Sequence, residues 1–199
     1  MIRAKTFPNL EFVKGLNPER LRKHLELYHG YIEKGQQLWK QWEKARTRGA
    51  AAAAELRSLK VDLTYALSAI KNHELFFDVL GRPPTAATEP QGVLRQAIER
   101  DFGSLAVLMD DLRRTALESN GWVWLTIDLD RGFLFCYGGN RQHALPVWNA
   151  LPILVLDLYV HAYAYDFGEQ KSRYIEVLLQ NTHWEKVGQR LAAAPVPAP

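Results

Sequence analysis

Pro152-Ile153-Leu154-Val155-Leu156-Asp157-Leu158-Tyr159-Val160-His161-Ala162-Tyr163 passes directly from an apolar run to two side chains that can ionise. The apolar part reads as a buried strand over Pro152–Tyr159. An Asp near the end of such a strand, with a His four residues on, is costly to bury unless something pairs with it. A bound metal would supply that pairing, and carboxylate oxygen with imidazole nitrogen suits manganese or iron without any cysteine. A plain buried Asp–His hydrogen bond would satisfy the same two residues. Any further ligands must come from elsewhere in the chain.

The chain has 199 residues, 47% of them hydrophobic and 24% charged, which is the make-up of an ordinary globular protein with a real core. Lys and Arg number 25 against 22 Asp and Glu, with both signs interspersed. So slight an excess argues against a nucleic-acid-binding stripe and favours small anions modestly. Cys136 is the single cysteine, so no intrachain disulfide framework exists, and its neighbours Phe133-Leu134-Phe135 make it a core thiol. The start Met1-Ile2-Arg3-Ala4-Lys5 has no apolar targeting segment, and no apolar run is long enough to span a bilayer. The expectation is a cytoplasmic protein that contacts neither membrane nor nucleic acid.

Residues 1–16 read as an irregular arm. Asn17-Pro18-Glu19 offers an N-cap, a proline at the first helical position and an acid in the first turn, so a long helix is expected to about Arg46. On it His24, Tyr28 and Tyr31 share one face, with Leu27, Leu38 and Trp42 as further packing positions. Gly49 and the alanine run 50–54 predict the start of a second helix reaching about Leu80. Its apolar stripe is Leu56, Leu59, Leu63, Ala66, Ile70, His73 and Phe77, which sets His73 in the middle of a packing face. Such a His is commonly a satisfied core residue. If the two helices form a hairpin, His24 and His73 can approach a shared point.

Gly81-Arg82-Pro83-Pro84-Thr85 reads as a linker, which divides the chain into a helical-hairpin domain, residues 1–83, and a second domain, residues 84–199. There, helices are expected over Gln91–Arg100 and Ser104–Glu118. Strands follow at Trp122–Ile127 and Phe133–Tyr137 around the turn Asp130-Arg131-Gly132. A polar loop, Gly138–His143, leads to the Asp157 strand, and helices near Tyr174–Asn181 and Trp184–Ala192 close the fold. The tail from about Ala192, ending Ala-Pro-Val-Pro-Ala-Pro, should be disordered. The class is α+β: a helical hairpin, then a small three-stranded antiparallel sheet with flanking helices.

Taken in order, a His on the first helix, Asn72-His73-Glu74-Leu75-Phe76, Ile98-Glu99-Arg100-Asp101-Phe102-Gly103-Ser104, Gly121-Trp122-Val123-Trp124-Leu125 and Asp157–Tyr163 form a distinctive series. Over roughly residues 8–192 the chain resembles the iron/manganese superoxide dismutases. That resemblance implies one iron or manganese per chain, held by His24, His73, Asp157 and His161, with solvent as fifth ligand. The activity implied is conversion of superoxide to dioxygen and hydrogen peroxide, with the site between the two domains. In the family a Gln bonds the metal-bound solvent, either from the second helix or from the loop before the Asp strand. The helix position here is Ala69, so the resemblance gives the role to Gln142, with His143 as second choice. A loop Gln resembles the manganese arrangement, although loop donors also occur with iron. The Tyr that guards the family's substrate channel corresponds best to Tyr31, with Tyr28 as rival. Trp122, Trp124 and Phe76 would form an aromatic shell around the metal.

Two positions depart from the family pattern. Val160 stands where a Glu normally precedes the last His ligand, and Tyr28 stands where the family has a His. In the family both reach across a homodimer interface, so the resemblance leaves a homodimer with an altered interface, or a monomer. A ligand His without its carboxylate acceptor loses metal affinity or activity by roughly 10–100-fold. The alternative reading is therefore a dismutase-fold metal-binding or interaction protein with weak or no activity.

Overall fold

Asn17 starts the first long helix by the capping mechanism its sequence calls for: its side chain accepts a hydrogen bond from the Glu19 amide at 2.9 Å, ahead of Pro18. The computed structural model describes residues 2–48, 52–143 and 147–195. A 3₁₀ turn, Pro8–Phe12, replaces part of the expected irregular arm. Helices α1 (Pro18–Ala45) and α2 (Ala53–Val79) then form the hairpin. Its expected junction at residues 49–51 lies outside the described residues. Helices α3 (Gly92–Phe102) and α4 (Leu105–Glu118) follow, then strands β1 (Trp122–Asp128), β2 (Leu134–Gly139) and β3 (Ala150–Asp157). Helices α5 (Val160–Phe167), α6 (Lys171–Gln180) and α7 (Trp184–Ala192) complete the chain, and the expected disordered tail lies, from residue 196, outside the described residues. Among the described residues no helix is long and apolar enough to cross a membrane.

The sheet has the order β2-β1-β3 with both pairings antiparallel. β3 is therefore an edge strand, which accommodates Pro152, and the register shifts between Leu125 and Thr126 beside it. β1 is the buried centre, with Trp122 to Ile127 all inaccessible.

Two corrections concern the segment around Asp157. The strand stops at Asp157, not at Tyr159, and a helix not expected from the sequence, α5, begins three residues later. The cause is local: Asp157 Oδ1 accepts from the Tyr159 amide at 2.9 Å, which turns the chain out of the sheet. α6 also begins earlier than expected, at Lys171.

Packing follows the stripes. On α1 the inaccessible residues His24, Tyr28, Ile32, Gly35 and Leu38 recur at intervals of three or four. A small cluster of Leu38, Ala45, Leu59, Leu63 and Ala66 fills one end of the hairpin. From Ala69 to Val79 eight of eleven α2 positions are buried, because β3 and α7 pack on it as well as α1. Each fully buried Leu, Ile or Phe of this main core contributes about 1.5–3 kcal/mol.

A polar clasp secures the end of α2. Asn9 Nδ2 donates to the carbonyls of Phe77 (2.7 Å) and Leu80 (2.5 Å). Asn181 pairs with the Lys14 backbone through both its oxygen (2.8 Å) and its nitrogen (2.7 Å). Gly81, at φ +91°, passes so close to Asn9 that a Cβ would sit 2.2 Å from its carbonyl oxygen, so only glycine fits.

Candidate metal centre

Four elements each bring one side chain to a common point. His24 comes from α1, His73 from α2, Asp157 from the last position of β3 and His161 from the first turn of α5. The turn made by Asp157 and the Tyr159 amide carries the chain back, so that His161 faces the other oxygen of the same carboxylate. From Asp157 Oδ2, the Nε2 atoms of His24, His161 and His73 lie at 3.1, 3.4 and 3.8 Å. One donor atom from each of the four residues lies within 4.8 Å of every other. Donors bound at about 2.1 Å to a single ion stand roughly 3–4 Å apart, so the spacing suits one metal.

His73 gives the sharpest test of that fit. Its Nδ1 is 2.7 Å from the Ala69 carbonyl, which can only accept, so Nδ1 holds the proton and Nε2 presents a lone pair. That Nε2 is buried and has no hydrogen-bond partner among the described residues. An unsatisfied buried acceptor costs about 1–3 kcal/mol, and a cation at the centre removes the cost. Burial also pushes the His73 imidazole down to about 4, against the pull of Asp157, which keeps it in the ligating form. Burial alone would raise the Asp157 carboxyl, but hydrogen bonds from His161 and His24 hold it well below the usual carboxylate range. With three nitrogens and one oxygen, the donor set suits iron or manganese.

Gln142 is buried beside this centre. Its Oε1 accepts from Trp122 Nε1 at 2.8 Å, and the indole can only donate, so the amide nitrogen is the free end. Its backbone carbonyl accepts from Asn72 Nδ2 at 3.2 Å, while Asn72 Oδ1 accepts from Trp124 Nε1 at 3.1 Å. His143 packs its ring 5.3 Å from Tyr65, and its Nδ1 is buried without a partner among the described residues. Trp122, the strand partner of Asp157, sets its indole edge-on to His73 at 5.0 Å, and Phe76 lies 5.5 Å from His24.

The two candidate tyrosines separate clearly. Tyr31 is half-buried with its ring 5.5 Å from that of His73 and 6.4 Å from that of Tyr65, and Gln142 and Tyr65 are polar neighbours of its hydroxyl. Burial, with Tyr65 next, pushes that hydroxyl up to about 12. Tyr28 is fully inaccessible and engaged elsewhere: its hydroxyl accepts from the Lys5 amide at 2.9 Å and donates to Glu74 at 3.3 Å. Val160 is 66% exposed, and the adjacent His161 side chain is 33% exposed.

Three neighbours of the centre were not singled out from the sequence. Asn72, quoted only as part of a motif, joins Trp124 to the Gln142 backbone. Tyr159 stacks on His161 at 5.5 Å, and Tyr65 stands beside Tyr31 at 6.4 Å. Spacing offered no clear signal for Tyr65, which lies eight residues before His73 and so off its face of α2. Nothing in the sequence reveals where the Trp122 and Trp124 indoles donate.

Comparison with known proteins agrees with this architecture. Residues 90–190 match the model for "Iron/manganese superoxide dismutases, C-terminal domain". A superoxide dismutase (Fe) from Aquifex aeolicus is 28% identical over 187 residues, 92% of this chain and 87% of the relative. One (Fe) from Cupriavidus metallidurans is 33% identical over 142 residues, 70% of each chain. One (Mn) from Corynebacterium diphtheriae is 30% identical over 152 residues, 75% of each chain. With a family model covering half of its length and relatives spanning most of it, this chain belongs to the iron/manganese superoxide dismutase family.

Proposed function

We propose that the protein is a superoxide dismutase that binds one iron or manganese through His24, His73, Asp157 and His161. The observation that carries this reading is the unpartnered His73 Nε2 in a buried cluster of three imidazoles and a carboxylate. When bound, the ion supplies one-electron exchange between trivalent and divalent states, by which two superoxide anions and two protons become dioxygen and hydrogen peroxide. The chain's own residues set the conditions. Asp157 offsets part of the ion's charge, and the hydrogen bond from His73 Nδ1 to Ala69 fixes one imidazole. Trp122 turns the Gln142 amide so that its NH₂ group serves as the donor to solvent in the site. Tyr31 stands at the entrance, where its neutral hydroxyl takes part in hydrogen bonding without repelling an anion.

A second reading rests on Val160. Valine cannot accept a hydrogen bond, and its exposure leaves the His161 side of the site facing solvent. That favours a metal-binding module with weak turnover. Elemental analysis and a superoxide-consumption assay on the purified protein separate the two. The first expects one iron or manganese per chain and fast turnover. A loaded but inactive protein establishes the second, and zinc in the site overturns the first.

A further inference from the structure

Three phenols gather on the side of the centre bounded by His73, Gln142 and His161. Tyr31 packs on His73, Tyr159 stacks on His161 with only 12° between the rings, and Tyr65 lies 6.4 Å from Tyr31. The Tyr159 hydroxyl is buried and unpartnered among the described residues. Tyr65 differs in reaching the surface, with 39% of it exposed. At 100° per residue, eight positions separate Tyr65 from His73 by about 80° around α2. His73 is directed at the centre, and Tyr65 is directed at its rim.

The hydrogen-bond inventory narrows what Tyr65 does. The Gln142 oxygen is taken by Trp122, so its NH₂ end is what Tyr31 can meet. A hydroxyl that receives this donor must give its own hydrogen elsewhere. Tyr65 is the other neighbour able to accept it, and the His143 ring holds Tyr65 in place from the side at 5.3 Å.

We propose that Tyr65 is a positioning residue for the dismutation: it holds the Tyr31 hydroxyl towards the Gln142 amide and connects that buried line to the surface. The proposal rests on the function proposed above. Orientation of Tyr31 is then supplied from α2 of the same chain.

A double-mutant cycle on metal-loaded protein tests this. Tyr65→Phe is expected to lower kcat roughly 2–10-fold, the value of one hydrogen bond, with kcat/KM, metal content and melting temperature unchanged. Azide affinity, read from the metal's absorption spectrum, should shift as well. Neither quantity should change further when Tyr65→Phe is added to Tyr31→Phe, because Tyr65 acts through Tyr31. Independent, multiplying losses overturn the proposal, as do a Tyr65→Phe protein with wild-type kcat and azide affinity or a kinetic loss that tracks a lowered melting temperature. If wild-type loaded protein proves inactive, the functional reading fails, and the azide cycle still decides whether Tyr65 and Tyr31 are coupled.

Discussion

His73 and His161 face the same carboxylate oxygen, yet one is sealed and the other meets solvent: their side chains are 0% and 33% exposed. His73 sits in the densest part of α2, with its second nitrogen tied to a carbonyl of its own helix. His161 lies on a short helix, next to an exposed valine. The hairpin wall of the centre is thus complete within the chain. The α5 wall is open where the family places a carboxylate from a second subunit.

The largest expected effect comes from breaking each wall in turn. His73→Ala should abolish metal binding and also cost the metal-free protein about 2–4 kcal/mol, because it empties a filled site. His161→Ala should weaken metal binding and cost the metal-free protein less, about 1 kcal/mol, because it leaves no packed cavity but takes one hydrogen-bond partner from the buried Asp157. Elemental analysis and urea unfolding of the metal-free proteins measure both, and equal stability losses would erase the distinction.

Gln142→Ala comes next. Removing the donor held by Trp122 should lower turnover roughly 10–100-fold while fold and metal content persist. Normal kinetics in that variant would move the role to His143. At the open wall, Val160→Glu should convert any self-association from salt-insensitive apolar contact to salt-weakened pairing, by up to about tenfold in the dimer constant. Sedimentation over a dilution series at low and high salt reads this. Unchanged association would mean that copies do not meet at this wall.

The smallest effect lies behind the buried wall. Asp78 on α2 joins Lys186 (2.6 Å) and Arg190 (2.7 Å) on α7. Burial would raise its carboxyl, but these two cations hold it below the ordinary value. A depressed folded-state pKa stabilises the protein fully above the unfolded value near 4, and the gain is lost as pH falls through the lowered one. Because the carboxylate is partly exposed, Asp78→Asn should cost only about 1 kcal/mol at pH 7. The difference should close as the pH falls through the lowered folded-state value. A difference that persists in acid would show that packing, not charge, makes the contact.

The sequence made the ligand carriers legible because each lies on a regular element. His24 and His73 fall on helix faces defined by their stripes, and Asp157 ends an apolar run. Less legible was what happens after Asp157, because Leu158 to Tyr163 stay apolar enough to prolong the strand. The break is made by a side chain capping the backbone, which hydrophobic periodicity does not record. Tyr65 escaped notice because it lies off the apolar stripe of α2. Its importance comes from a neighbour on another helix, and the bonds joining Trp122, Trp124, Asn72 and Gln142 likewise span residues far apart in sequence.

The clasp at the end of α2 also sets a timetable. Lys14 and Asn181 are 167 residues apart, so at ribosomal rates of about 5–20 residues per second the arm waits roughly 10–30 s for its partner. Through about half of that interval His24 and His73 are already synthesised and Asp157 is not. The hairpin's two histidines are therefore made before the carboxylate they share. The three-nitrogen, one-oxygen donor set that suits iron or manganese exists only once Asp157 and His161 have been added.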